Sequence, residues 1–173
     1  MAPLCRMFEI VHYTGENPHF DEAIPALLRA VYVDAGFTPP AFAPKGFSVP
    51  EIKQRGKILL ALAADQNVIG MVIVGTQTNP YRQVATPEEA EMQLLGTLPV
   101  ARGRGVGDAL CRAFEKQALG DGFQKAVLST QPAMTAAHKL YEKSGYARNP
   151  ARDWERNGRQ FWVYEKILSG HGL

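Results

Sequence analysis

Apolar positions along the chain change period several times, and each change marks an element. Residues 6–12 (Arg-Met-Phe-Glu-Ile-Val-His) alternate well enough to predict an opening strand. After the turn signal Asn17-Pro18, Phe20, Ile24, Leu27, Leu28, Val31 and Tyr32 recur at helical spacing, which predicts a helix with one buried stripe. Pro25 inside that pattern is expected to delay or kink the helix, and Gly36 to end it. Residues 36–47 form a loop rich in proline, glycine and phenylalanine, whose Phe37, Phe42 and Phe47 either cover the core or wall a substrate pocket. Ser48-Val-Pro-Glu51 reads as a capping box opening a short helix that Gly56 closes.

Two hydrophobic runs, Lys57–Ala63 and Val68–Gly75, flank Ala64-Asp-Gln-Asn67 and predict a hairpin. Thr76 to Ala90 is a long polar connection, of a length that in compact domains is often functional or mobile. Glu91–Leu98 is a strand running into a glycine-rich turn. Beyond it, Val106, Ala109, Leu110, Ala113, Phe114 and Gln117 mark one helix face, with Arg112, Glu115 and Lys116 on the other; Gly120 and Gly122 stop the helix. Lys125–Thr130 is a short strand, so a right-handed parallel crossover is expected. Pro132 opens a further helix carrying Ala137, Leu140, Tyr141 and Ser144 on one face, terminated by Gly145. Tyr146 to about Arg152 and Arg159 to Ile167 predict a closing strand pair, with Trp162 and Tyr164 on one face.

The candidate chemistry centres on Ala101-Arg-Gly-Arg-Gly-Val-Gly-Asp108, where strand meets helix. Glycines let a ligand approach the backbone. The first helical turn leaves N–H groups without partners at the positive end of the macrodipole, which suits phosphate. Arg102 and Arg104 add full charges for phosphate oxygens. The dinucleotide fingerprint G-x-G-x-x-G fails, because Asp108 or Leu110 stands where it needs glycine, and no glycine is followed by the Lys-Ser or Lys-Thr of a P-loop.

Composition narrows the partners. The chain has 173 residues, 46% hydrophobic and 21% charged, as expected of one soluble domain spanning 1–173. A net charge of +2 with dispersed basic residues argues against nucleic acid or an anionic membrane as partner. No apolar run reaches membrane-span length, and the N-terminus lacks a signal layout. Cys5 and Cys111 make neither a disulfide framework nor a metal cage, so free thiols in a cytoplasmic protein and no metal are expected.

Arg102, Gly105 and Gly107 fit R-x-x-G-x-G after a strand ending Leu95-Gly-Thr-Leu-Pro99, and this resembles the acetyl-CoA signature of the GNAT (general N-acetyltransferase) superfamily. Ala137-His-Lys-Leu-Tyr-Glu-Lys-Ser-Gly-Tyr146 is similar to that family's A-x-x-L-Y-E-x-x-G-[FY] helix. The resemblance implies an α/β (α+β) single domain. Its mixed, mostly antiparallel sheet would have about six or seven strands, about four flanking helices and a splayed parallel strand pair. It implies acetyl-CoA lying in that V. Backbone groups of Leu98 and Val100 would hold the pantetheine arm, and Arg102, Gly103, Arg104, Gly105, Val106 and Gly107 the pyrophosphate. Met134 stands where many members carry an asparagine, and it can pack against the arm without supplying the same hydrogen bonds.

The implied activity is transfer of an acetyl group to a primary amine of a small molecule or peptide. Tyr141 matches the family position of the acid that meets the departing thiolate, and Glu91 that of a base, with Glu89 in reserve. Two other readings stand beside it: a non-catalytic acyl-CoA binder of the same fold, and a nucleotide-binding protein. His138 lies three residues from Tyr141 and is expected to be exposed; His12, His19 and His171 have no ligand-like partners. Pro150-Ala-Arg-Asp-Trp154 resembles a subset of bacterial members without indicating an acceptor. Many similar proteins dimerise, and nothing in the sequence decides whether this one does.

Overall fold

The computed structural model describes residues 7–170. Eight strands form the sheet: β1 (Phe8–Tyr13), β2 (Gly56–Ala63), β3 (Val68–Gly75), β4 (Glu89–Thr97), β5 (Lys125–Thr130), β6 (Ala147–Arg148), β7 (Trp154–Arg156) and β8 (Arg159–Ile167). Their order is β1-β2-β3-β4-β5-β8-β6, with β7 paired to β8 off that path. Every pairing is antiparallel except β4 with β5. The helices are α1 (Pro18–Leu28), α2 (Ala43–Gly46), α3 (Val49–Lys53), α4 (Val106–Gly120) and α5 (Thr135–Lys143).

Alternation along the strands builds two cores, one on each sheet face. Leu59, Val72, Val74, Ala90 and Met92 join Leu110 and Phe114 of α4 and Tyr141 of α5. Ile58, Leu60, Met71 and Ile73 meet Ile24, Leu27 and Leu28 of α1 and Ile52 of α3 on the other side. Hydrophobic runs on β2 and β3 are therefore continuous because both faces are covered.

Several expectations are refined. The first strand begins at Phe8; Arg6, like Cys5 and His171, lies outside the described residues. Pro25 sits inside α1, which continues into a π-helical turn, Arg29–Val33. Ser48 caps α3 by position only: its hydroxyl donates to Lys45 O, so no capping box forms. The final helix starts at Thr135, three residues later than Pro132. The closing pair is interrupted after β6, because Pro150 offers no N–H and 150–152 turn into a 3-10 helix. Arg152 is held there by Glu89 (2.8 Å) and Glu165 (2.9 Å), and Arg148 pairs bidentately with Asp153. Glu115, expected on an exposed face, is buried and paired with Lys166 at 2.9 Å.

Candidate active site

β4 and β5 run together for only four residue pairs, from Glu89↔Lys125 to Met92↔Leu128. At Leu94 the backbone takes a left-handed φ of 49°, and the β3–β4 register shifts between Met71 and Ile73. Such a bulge bends the strand that carries it. β5 meanwhile stays with β8 as far as Thr130↔Trp162. Residues 93–97 thus lack a parallel neighbour, and a V opens between the strands.

The amides along that V are not the expected ones. Leu98 donates its N–H to Ile69 O (2.9 Å), and its carbonyl accepts from Ala101 N–H. Alternation along an antiparallel ladder then turns the main chain of Leu95 and Thr97 toward the V. Leu95 O accepts from the Tyr32 hydroxyl at 2.8 Å, with α1's π-turn placing that phenol. Val100 follows in a 3-10 turn and is 74% exposed.

The glycine turn closes one end of the V. Gly103 and Gly105 have φ of 74° and 79°, and a Cβ at either would meet nothing within 4 Å. Their lack of a side chain therefore serves backbone conformation beside open space. Gly105 caps α4, so the amides that begin the helix face outward at its positive end. Arg102 and Arg104 are exposed and make no ion pair among the described residues. Gly107 differs: a Cβ there would lie 2.9 Å from Leu140 Cδ2, so this glycine seats α5 on α4. Val106 is core.

α5 brings Tyr141 to the other side of the V. The residue is 7% exposed among Tyr146 and Tyr164, with ring centroids 6.2 and 5.9 Å away. Burial, reinforced by Tyr32, Cys111 and Tyr164, holds its phenol well above the ordinary tyrosine range, so it stays protonated. Met134 stands at the head of α5, where its sulfur accepts from the Thr130 hydroxyl at 3.6 Å. His138 is buried, contrary to expectation. It stacks on Trp162 (5.2 Å) and its Nε2 contacts Gln131 O at 3.0 Å. Gln131 Nε2 in turn donates to Phe37 O at 2.8 Å, and Arg159 donates to the same oxygen. The loop after α1 is thereby tied across the V to β5 and β8.

Glu91 and Gln93 alternate to the sheet face opposite α4. Glu91 is 2% exposed, and its carboxylate accepts from the backbone N–H groups of Gln83, Val84 and Ala85 at 2.8–3.2 Å, and from the Gln93 side chain. These donors fill the lone-pair positions of a carboxylate. The expected base therefore meets a group already saturated by the loop before β4. Glu89 is engaged as well, by Arg152, Thr86 N–H and Lys125. Burial opposes the charge, but these hydrogen bonds hold its pKa down at about 2. The 76–88 connection is consequently pinned: Gln93 also donates to Tyr81 O, and Asn79 donates to Gln93.

Gln93 is also bonded by Arg55, which lies between α3 and β2. Tyr32, Arg55, Gln93, Gln131 and Arg159 were not singled out as site residues by sequence reasoning: Tyr32 stood only in the helical stripe and Arg159 only at a strand start. Gln93 left a trace, since with Glu91 it places polar side chains on one face of an otherwise apolar strand. Phe47 is core, while Phe42 is partly exposed against it. A separate cleft of about 560 Å³, between α1 and residues 43–53, is lined by Asp21, Arg29, Phe47 and Lys53 among others. Among the described residues, no cluster of three or more His, Cys, Asp or Glu is arranged to hold a metal, and no helix is long and apolar enough to cross a membrane.

Comparison with known proteins gives consistent results. Residues 25–146 match the model of the acetyltransferase (GNAT) family. An acetyltransferase from Streptococcus agalactiae 2603 superposes with a TM-score of 0.73 at 20% identity, covering 95% of this chain and 100% of the other. A GNAT-family acetyltransferase from Staphylococcus aureus MU50 does so at 0.72 and 13% identity, covering 94% and 99%. One from Elizabethkingia anophelis with acetyl-CoA bound gives 0.64 at 16% identity, over 94% and 99%. At these identities the likeness is one of fold. No curated protein sequence matches the chain.

Proposed function

Because the chain belongs to the GNAT acetyltransferase family, we propose that it moves an acetyl group from acetyl-CoA to the primary amine of a small-molecule or peptide acceptor, by direct attack. The observation that carries this reading is the bared length of β4 beside the left-handed glycine turn. It offers main-chain partners for an extended amide-bearing arm and, next to them, helix-terminal N–H groups for linked phosphates.

In this reading the turn from Arg102 to Gly107 grips the pyrophosphate, with Arg102 and Arg104 supplying charge. The main chain of Leu95 and Thr97 takes the place assigned to Leu98 and Val100 along the pantetheine, and Met134 packs against it. Acetyl-CoA supplies a thioester carbon open to attack. A main-chain N–H of the bared strand polarises the thioester oxygen. Tyr141, protonated at working pH, donates to the departing thiolate or orients it.

Glu91 acts at one remove. Its carboxylate fixes the 83–85 loop against β4, and the acceptor arrives as the neutral amine, losing its proton to water. The similarly folded protein from Elizabethkingia anophelis holds acetyl-CoA, and an aminoglycoside 6'-N-acetyltransferase of like fold is complexed with coenzyme A (TM-score 0.70, 14% identity, covering 95% of this chain and 99% of the other); both support the donor assignment here.

A thiol-release screen of amines with acetyl-CoA, run beside calorimetry with acetyl-CoA, tests the proposal. Saturable binding and thiol release with at least one amine are expected. Binding without release across a broad panel would leave a non-catalytic acyl-CoA binder, and no binding to well-folded protein would remove both readings.

A further inference from the structure

Arg55 is the most poorly satisfied charge in the described interior. It is 6% exposed, yet no carboxylate lies within ion-pair distance among the described residues. Its Nη1 donates to Gln93 Oε1 and its Nη2 to Gly46 O, both at 3.3 Å, and its Nε–H has no partner. Charge-assisted bonds are normally much shorter, about 2.7–2.9 Å. The guanidinium carbon lies 4.3 Å from the centroid of the Tyr81 ring, in a cation–π contact. Buried charges in proteins are as a rule paired, because desolvation without a counter-charge is expensive. Burial lowers this group's pKa to about 10, which still leaves it charged at neutral pH.

Its position gives the orphaned edge a meaning. Gln93 is the residue before the Leu94 bulge, so Arg55 stands at the root of the V on the face away from α4. Tyr32 bonds Leu95 O, two residues beyond Gln93 on the same strand, and packs its ring against Phe47. Glu51 and Glu91 act on the charge only from beyond ion-pair distance, and Glu91 is bonded to the network through Gln93 and saturated by neutral N–H donors.

We propose that Arg55 is the acceptor's anion anchor: the side edge of its guanidinium, Nε–H with an Nη–H, takes a carboxylate carried by the amine substrate. This rests on the acyl-transfer reading and narrows its acceptor to amines bearing a carboxylate, as in an amino acid or a peptide with a nearby acidic group. A planar fork matches a carboxylate bidentately and is already oriented by Tyr81 and Gln93. Hydrogen bonds to Gln93 and Gly46 at 3.3 Å are weak enough to yield to it.

The test uses matched acceptors with and without the carboxylate: L-phenylalanine against 2-phenylethylamine, L-leucine against 3-methylbutylamine, and a C-terminally amidated Asp-bearing dipeptide against its amidated Ala counterpart. In thiol release, at least one carboxylate-bearing member should be preferred by about 30-fold or more in kcat/KM. Arg55→Gln should erase that preference through KM, leaving acetyl-CoA affinity within about twofold. The amino-acid and dipeptide arms tell the two carboxylate sources apart. Equal turnover of matched partners by the parent, or a preference that survives in Arg55→Gln, overturns the proposal. Should Arg55→Gln not fold, Arg55→Lys keeps the charge but not the fork and should lose most of the preference. A readout independent of turnover is calorimetry of the same carboxylates with parent protein: saturable heat, absent with the matched amines, supports the anchor even if no thiol is released, and its absence there counts against it.

Discussion

Gly107 and Leu140 meet so closely that a Cβ on the glycine would lie 2.9 Å from Leu140 Cδ2. The contact joins the glycine turn to the Leu-Tyr helix, so the element that would grip phosphate fixes the height of the element that carries Tyr141. Close packing transmits displacement of this kind, because interiors have little free volume. Gly107→Val should cost about 1–3 kcal/mol in chemical unfolding by overpacking. Leu140→Ala in the same chain should recover part of that loss, and a purely additive double mutant would show that the two residues do not communicate.

Gly105 adopts a left-handed φ of 79° next to open space, so its substitution attacks conformation and ligand space together. Gly105→Glu should weaken acetyl-CoA binding by about 100-fold or more in calorimetry, adding strain and a negative charge at the proposed phosphate site. Arg104→Ala should cost about 10-fold or less, with the deficit shrinking at high salt, because the side chain is exposed.

Tyr141 is held protonated well past neutral pH, with burial as the largest cause. Tyr141→Phe should lower kcat by about 10- to 100-fold while acetyl-CoA affinity changes little. The parent's kcat should show no alkaline decline attributable to this group between about pH 7 and 9. Unchanged kcat in the phenylalanine variant would take Tyr141 out of the chemistry.

Glu91 presents its carboxylate to three backbone N–H groups of the 83–85 segment. Glu91→Ala strips the partner from the buried Ala85 N–H and the part-buried Val84 N–H, which should cost about 1–3 kcal/mol and raise hydrogen exchange in 83–85. Glu91→Gln should retain most turnover. Loss of an acidic limb from the kcat/KM profile in that variant would instead assign Glu91 the proton.

Glu89 has its pKa depressed to about 2, against an ordinary value of 4.5. A carboxyl whose folded pKa lies below its unfolded one stabilises above the unfolded value and loses that contribution as pH falls through the folded value. Stability should therefore decline between about pH 5 and 2, by on the order of 2–3 kcal/mol from this group. Glu89→Gln should flatten that part of the curve; an unchanged slope would place the acid sensitivity elsewhere.

The fold was legible to the extent that local pattern carries it. Lys57–Ala63 and Val68–Gly75 are continuous apolar runs on either side of a short turn and pair as β2 and β3. The additional strand β7 was not legible, because at three residues it is too short for alternation to show; it pairs with β8, and Trp154 stacks on Phe161 at 4.2 Å. The same holds for the chemistry. Tyr141 and the glycine turn announce themselves by motif. Arg55 does not, because nothing in its neighbours Gln54 and Gly56 says that its charge will be buried without a counter-ion.

What the chain's order of residues determined by itself was local: which stretches are helix and which strand, where glycine and proline punctuate them, and which short signatures resemble those of acetyltransferases. Periodicity and turn chemistry act over a few residues and need no distant partner. The tertiary structure alone decided which side chains remain free. Glu91 meets 83–85, Leu98 meets Ile69 and Tyr32 meets Leu95 only after strands have paired and α1 has docked. A hydrogen bond is satisfied by whatever donor the fold brings near, so packing decided which carboxylate, amide and guanidinium positions are filled.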